Sequence, residues 1–200
     1  MIPNVKELGI YVEGGLVQDC FDSLLHLHLL EKLKFEIGRV ERFYLPISFP
    51  PNLKRLTLRY TYIPWKEINI IGKLPNLEIL KLKDFAFCGS KWEPMEVGFK
   101  KLKVFLVARL DLTHWNASSY HFPILEHLVL RYCWELKRIP MAFASIKTLK
   151  SIVLESCYPS LVNSAHEIQR RADQPAFRVY DLGTKVELPN REISEEESFE

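Results

Sequence analysis

The stretch Phe122–Pro140, FPILEHLVLRYCWELKRIP, decides the fold. Leu125, Leu128 and Leu130 are followed by Cys133, Leu136 and Ile139, and Pro140 closes the run. The alternation of Leu128 and Leu130 predicts a short strand with one buried face. The wider spacing after Cys133 no longer fits a strand, and Pro140 stops whatever follows. A unit this short cannot bury its own apolar side, so the fold depends on whether it recurs.

It recurs along the chain. The L-x-x-L-x-L pattern appears as Val5, Leu8, Ile10; Leu30, Leu33, Phe35; Leu53, Leu56, Leu58; and Leu77, Leu80, Leu82. It continues as Leu102, Phe105, Val107; Leu125, Leu128, Leu130; and Leu149, Ile152, Leu154. Successive starts at 5, 30, 53, 77, 102, 125 and 149 give a period of about 24 residues, which is the spacing and pattern of leucine-rich repeats. The predicted fold class is therefore an α/β solenoid, a horseshoe with one short parallel strand per repeat. Its concave side is the sheet, and its convex side is irregular or carries short helices.

Prolines mark the entries to several strands, at Ile2-Pro3, Pro50-Pro51, Leu74-Pro75 and Phe122-Pro123. The apolar residue at this point (Ile2, Leu74, Phe99, Phe122) is assigned to the core. The third position after each strand is Thr61, Cys133 or Cys157, a small residue buried beside the turning backbone. Cys133 and Cys157 stack as neighbours. They are either two buried thiols acting as small hydrophobes or a disulfide, and a reducing compartment favours the thiols.

Repeats occupy residues 1–157 and begin without an N-terminal cap, so the chain is expected to continue upstream or to meet a partner there. Residues 158–186 read as a C-terminal capping segment. It contains a helix within 160–173, with Leu161, Ala165 and Ile168 on one face, and a short extended piece at 177–182. Residues 187–200 are acidic and aperiodic and are expected to form a disordered tail.

Of 200 residues, 48% are hydrophobic and 26% charged, which is globular composition. A net charge of +2 does not call for nucleic acid. No run of eighteen apolar residues exists to make a transmembrane segment, and the first residues lack a signal-peptide core. The four cysteines match no zinc spacing and fit a cytoplasmic setting, peripheral to a membrane only through a larger parent protein. The sequon at Asn116 matters only in a secreted chain.

Residues between the buried leucines point to the concave face and form columns across repeats. Just before the strands the column Lys6, Glu31, Lys54, Glu78, Lys103, Glu126, Lys150 alternates in sign and reads as cross-strand pairing. After the third apolar position the column is Tyr11, Glu36, Arg59, Lys83, Ala108, Arg131, Glu155, with a basic middle. Arg55, Lys81 and Arg109 add to it, with Tyr60, Tyr132 and Trp134 nearby. Basic and aromatic residues together compose interface hot spots, and an ordinary solvated face is the equal alternative. Leu106, Val129 and Val153 are apolar on a side that should face water, which marks an interface or cover by a local loop.

Catalytic and cofactor signals are weak. Gly72-Lys73 has Glu67 and Leu74 where a phosphate-binding loop needs glycine and a hydroxyl. There is no G-x-S-x-G, and His26 and His28 are explained by the leucines around them. No catalytic, cofactor-binding or metal residue and no small-molecule substrate is expected in this chain.

The segments 74–94, 99–118, 122–157 and 160–173 resemble the C-terminal repeats of plant intracellular immune receptors, the coiled-coil nucleotide-binding leucine-rich-repeat proteins. They look in particular like the late blight resistance protein group of nightshades. Trp92 and Trp115, the C-W-E-L-K-R-I-P segment and the closing helix carry the resemblance. It implies a protein-interaction module in effector recognition and autoinhibition. The implied partner is a pathogen effector, a guarded host protein or an upstream nucleotide-binding domain, and ADP or ATP would bind only in that missing domain. Plant F-box proteins also carry such repeats, so a substrate-recognition arm of a ubiquitin ligase is the alternative.

Overall fold

A computed structural model of the chain describes residues 4–13, 24–38, 49–94 and 98–184. The proline entry at Ile2-Pro3, Cys20 and the acidic tail lie outside these residues.

The main element is one parallel sheet of eight strands in sequence order. The strands are β1 (Glu7–Val12), β2 (Lys32–Ile37), β3 (Arg55–Arg59), β4 (Ile79–Lys83), β5 (Val104–Ala108), β6 (His127–Arg131), β7 (Ser151–Glu155) and β8 (Arg178–Leu182). Register follows the repeat residue for residue. Leu8, Leu33, Leu56, Leu80, Phe105, Leu128, Ile152 and Val179 form one row. A one-residue slip would turn every leucine to the wrong face, so burial pins the register. Leu56, Leu80, Phe105, Leu128 and Ile152 have no exposed surface.

Two features were not legible in the repeat pattern. Residues 178–182, read as a short extended piece, pair with β7 as an eighth strand. In that strand Asp181 takes the place opposite Leu154, where a leucine would otherwise continue the core, and it is exposed.

Proline entries are turns. Leu53 N donates to Pro50 O at 3.2 Å and Leu125 N to Phe122 O at 3.2 Å, which puts Pro51 and Pro123 at the second turn position that a fixed φ suits. The residue before the first leucine then reaches back one repeat. Asn52 Nδ2 donates to His28 O at 2.7 Å, Asn76 Nδ2 to Pro51 O at 3.2 Å and Thr148 Oγ1 to Leu125 O at 2.8 Å.

Opposite the sheet the returns are short: two-residue strand pairs at 63–64/87–88 and 91–92/114–115, and 3-10 turns at 65–68, 119–121 and 141–145. Their core is an aromatic ladder. Trp65 stacks on Trp92 with centroids 4.7 Å apart, and Trp92 stacks on Trp115 at 5.1 Å. Phe105 and Phe122 meet Trp92 edge-on at 5.6 and 6.0 Å, arrangements the ring quadrupole favours. The tryptophans that carry the resemblance are thus structural.

Helix α1 (Pro159–Arg171) starts on Pro159, where a missing N–H costs nothing, and ends with Arg170 and Arg171 against its negative pole. It buries Leu161, Val162, Ala165 and Ile168, the face expected from their spacing. Ser164 Oγ accepts from Ile139 N at 3.1 Å and ties the helix to the preceding repeat. Among the described residues no helix is long and apolar enough to cross a membrane.

Candidate protein-interaction face

The face of the sheet away from the core carries three columns of side chains, set by register. Glu7, Lys32, Arg55, Ile79, Val104, His127, Ser151 and Arg178 form the first. Gly9, Lys34, Thr57, Lys81, Leu106, Val129, Val153 and Tyr180 form the central one. Tyr11, Glu36, Arg59, Lys83, Ala108, Arg131, Glu155 and Leu182 form the third.

The sign-alternating column just before the strands is paired as its sequence predicts. Lys54 Nζ lies 3.0 Å from Glu31 and Lys103 Nζ 3.3 Å from Glu78, and Lys150 pairs with Glu126. The Lys54 hydrogen bond and charge hold Glu31 below its ordinary value, and Lys150 does the same for Glu126.

The basic third column departs from expectation. Arg59 is not free: Nε donates to Asp84 Oδ2 at 2.6 Å and Nη1 to Glu36 Oε1 at 3.1 Å. Arg109 Nη1 donates to Asp84 Oδ1 at 2.9 Å. Arg131 Nε lies 2.9 Å from Glu155 Oε2, near enough to pair charges though not aligned as a hydrogen bond. The physical reason is periodicity. An acid one repeat away stands about 4.8 Å along the sheet, within reach of a guanidinium. Glu36 and Glu155 stand in the same column as their arginines, one repeat away, whereas Asp84 lies one residue past that column.

Tyr60 and Tyr132 are half-buried and lie under cations instead of standing clear. The Arg59 guanidinium sits 4.8 Å from the Tyr60 ring centroid and Arg109 sits 4.6 Å from that of Tyr132. Tyr132 OH donates to Glu155 Oε1 at 3.2 Å. Trp134 is 39% exposed, meets Tyr132 edge-on at 6.3 Å and donates its Nε1 to Ser156 O at 3.1 Å. These residues make a continuous rim at the C-terminal ends of the strands.

The rim backbone is left-handed just past the strand in the third to seventh repeats. Tyr60, Asp84, Arg109, Tyr132 and Ser156 have φ of 54, 46, 53, 53 and 51°. Bulky residues rarely adopt this region. Here bonds to the next repeat hold it: Tyr60 N to Asp84 O at 3.0 Å, Asp84 N to Ala108 O at 2.9 Å, Arg109 N to Arg131 O at 3.0 Å and Tyr132 N to Glu155 O at 2.8 Å. Burial raises the Asp84 carboxyl, but the hydrogen bonds and charges of Arg109 and Arg59 outweigh it and leave its pKa below the usual value.

Leu106 also departs from expectation. It is 7% exposed, and Val129 and Val153 beside it are half-buried, so this column is not a bare apolar patch. Central-column side chains are flanked on both sides by strands about 4.8 Å away, and Leu106, Val129 and Val153 cover one another.

Arg55, Lys81 and Lys83 make no ion pair among the described residues. Burial, then the charges of Lys81 and Arg131, push the Lys83 amine below its ordinary value. Missed by sequence reasoning were Asp84, the hub of the rim, and the exposed pair Tyr62 and Phe85. These rings stack at 5.9 Å and 6°, and are 56% and 42% exposed. An aromatic two or three residues past a strand was the available signal. Thr61, Cys133 and Cys157 are buried as expected, and both cysteines are free thiols.

An in-register parallel sheet of eight strands, buried on one face and open on the other, defines the fold. No protein-family model matches the chain. It is similar to three putative late blight resistance protein homologs of Solanum demissum: R1B-16, 33% identical over 175 residues; R1B-13, 32% over 169; and R1B-23, 36% over 175. Each match covers 84% of this chain and 13%, 15% and 13% of those proteins respectively. The chain belongs to the late blight resistance protein group of plant disease resistance proteins, and it spans less than a quarter of the length of these relatives.

Proposed function

We propose that this chain is the leucine-rich-repeat horseshoe of a plant intracellular immune receptor, with the open face of the sheet as its concave, partner-binding side. Residues 1–157 supply the repeats and 158–186 close the stack. The module recognises a pathogen effector or a guarded host protein and holds the receptor inactive through contact with its nucleotide-binding domain. That domain, not this chain, would bind ADP or ATP, and the receptor would work in the cytoplasm. The observation that carries the reading is the juxtaposition on one face of cations with no ion pair among the described residues (Arg55, Lys81, Lys83), buried Leu106 with half-buried Val129 and Val153, and rim aromatics (Tyr60, Tyr132, Trp134). That is the composition of an interface centre. The F-box alternative draws no support from these relatives, all of which are resistance protein homologs.

The test is a segment exchange. Residues 53–157 replace the matching segment of a full-length relative with different pathogen-strain specificity, and leaf cell death is scored against each strain. Recognition should follow the exchanged segment. Recognition that stays with the rest of the receptor overturns the reading.

A further inference from the structure

We propose that Arg55, Lys81 and Lys83 dock an acidic segment of a protein partner, which continues with apolar side chains over Leu106, Val129 and Val153. The proposal rests on the interaction-module reading and adds the chemistry of the partner.

Charge complementarity carries it. The other cations of the open face near these three are spent: Lys32 pairs with Glu7, Lys34 lies 3.2 Å from Glu36, and Arg59 is held by Glu36 and Asp84. Arg55, Lys81 and Lys83 have no such acid among the described residues, and they sit on neighbouring strands β3 and β4. Space is provided beside them. Thr57 and Leu106 flank Lys81, and Ala108 flanks Lys83. Arg55, Lys81, Thr57 and Gly9 border a hollow of ≈ 350 Å³ on this face, large enough to admit a carboxylate side chain. A partner carboxylate would give these lysines the acid that every neighbouring cation already has, and a partly desolvated pair is worth more than one in open water.

The face then changes character along one line. The central column passes from Lys81 to Leu106, Val129 and Val153. From β4 to β7 is about 14 Å at about 4.8 Å per strand. An extended peptide crosses it in about four residues. The partner segment is therefore acidic at one end and apolar from one or two positions on to about four, lying across the strands.

The experiment is fluorescence anisotropy on the 200-residue chain with a labelled peptide of sequence Glu-Glu-Asp-Gly-Leu-Leu-Val. Binding should weaken about tenfold when lysines replace the three acids, and about tenfold in K81E/K83E. It should weaken again between ~50 and ~500 mM NaCl. The control K103E, on the sign-alternating column just before the strands, should bind as wild type does, and circular dichroism should show K81E/K83E folded. Equal binding of the acidic and basic peptides, or undiminished binding by K81E/K83E, overturns the proposal. So does tighter binding of a single-stranded DNA 20-mer. A chain cut after Thr184 that gains about tenfold in affinity would assign the site to its own acidic terminus and overturn the partner reading. If the peptide fails while the segment exchange moves recognition, only the partner chemistry falls. If the peptide binds and the exchange fails, the receptor reading falls.

Discussion

Asp84 accepts a hydrogen bond from Arg109 at 2.9 Å, one repeat further along, while its other oxygen accepts from Arg59 at 2.6 Å. One buried carboxylate thus joins the rims of three repeats, at a left-handed backbone position that aspartate and asparagine tolerate better than most residues. Asp84→Ala should lower unfolding free energy by about 2–3 kcal/mol, because it takes the carboxylate from Arg109, leaves Arg59 with Glu36 alone and keeps the strained φ. Asp84→Asn should lose less. Urea unfolding followed by circular dichroism checks both, and equal losses would contradict the backbone contribution.

The same residue sets a pH dependence. Its folded pKa lies below the unfolded value of about 4. A depressed carboxylate contributes stability that is complete above the unfolded pKa and is lost as pH falls through the folded one. Wild type should therefore lose stability below about pH 4 more steeply than Asp84→Asn, as read by urea midpoints between about pH 3 and 6.

Trp92 is 2% exposed and lies between Trp65 and Trp115. Trp92→Ala should cost about 3–5 kcal/mol, a large part of a domain's net stability, while Trp92→Phe should retain more. Because each repeat is stabilised by its neighbours, the loss should spread along the returns at 63–68 and 114–121. Hydrogen exchange at those backbone amides checks the spread.

Lys103 and Glu78 test the opposite case. Their pair is 3.3 Å long with both side chains about two-fifths exposed, so K103E should cost only about 0.5–1 kcal/mol. The variant places a carboxylate between Glu78 and Glu126, and added salt should recover part of the loss.

Cys133 and Cys157 are buried as free thiols, and Cys88 is partly exposed. The contact with Cys157, together with burial, pushes the Cys133 thiol well above its ordinary value. Of these three, iodoacetamide at pH about 7.5 should modify Cys88 first and reach Cys133 and Cys157 only in urea. Mass spectrometry reads the order. Failure of Cys133 and Cys157 to react in urea without reductant would mean that they are bridged.

Register and core were legible because burial repeats. Leu56, Leu80, Phe105 and Leu128 recur at a fixed step, and a strand places them on one row. The alternating charges before each strand were legible for the same reason. Pairings that cross columns were not. Asp84 looks like one more loop residue until the backbone turns it toward Arg59 and Arg109. Leu106 looked exposed because its strand alternates, yet neighbouring side chains cover it. Residues 177–182 were legible as an extended piece, but their pairing as strand β8 was hidden because Asp181 breaks the leucine pattern at the point where the core ends.

The central claim is that Lys81 and Lys83, which make no ion pair among the described residues, serve recognition, whereas the paired rim serves the fold. K81E/K83E, placed in the matching segment of a full-length relative, tests it most directly through pathogen-triggered leaf cell death. The expected result is a changed response, either lost on challenge or switched on without it, at unchanged receptor abundance. A cell-death response identical to wild type would contradict it.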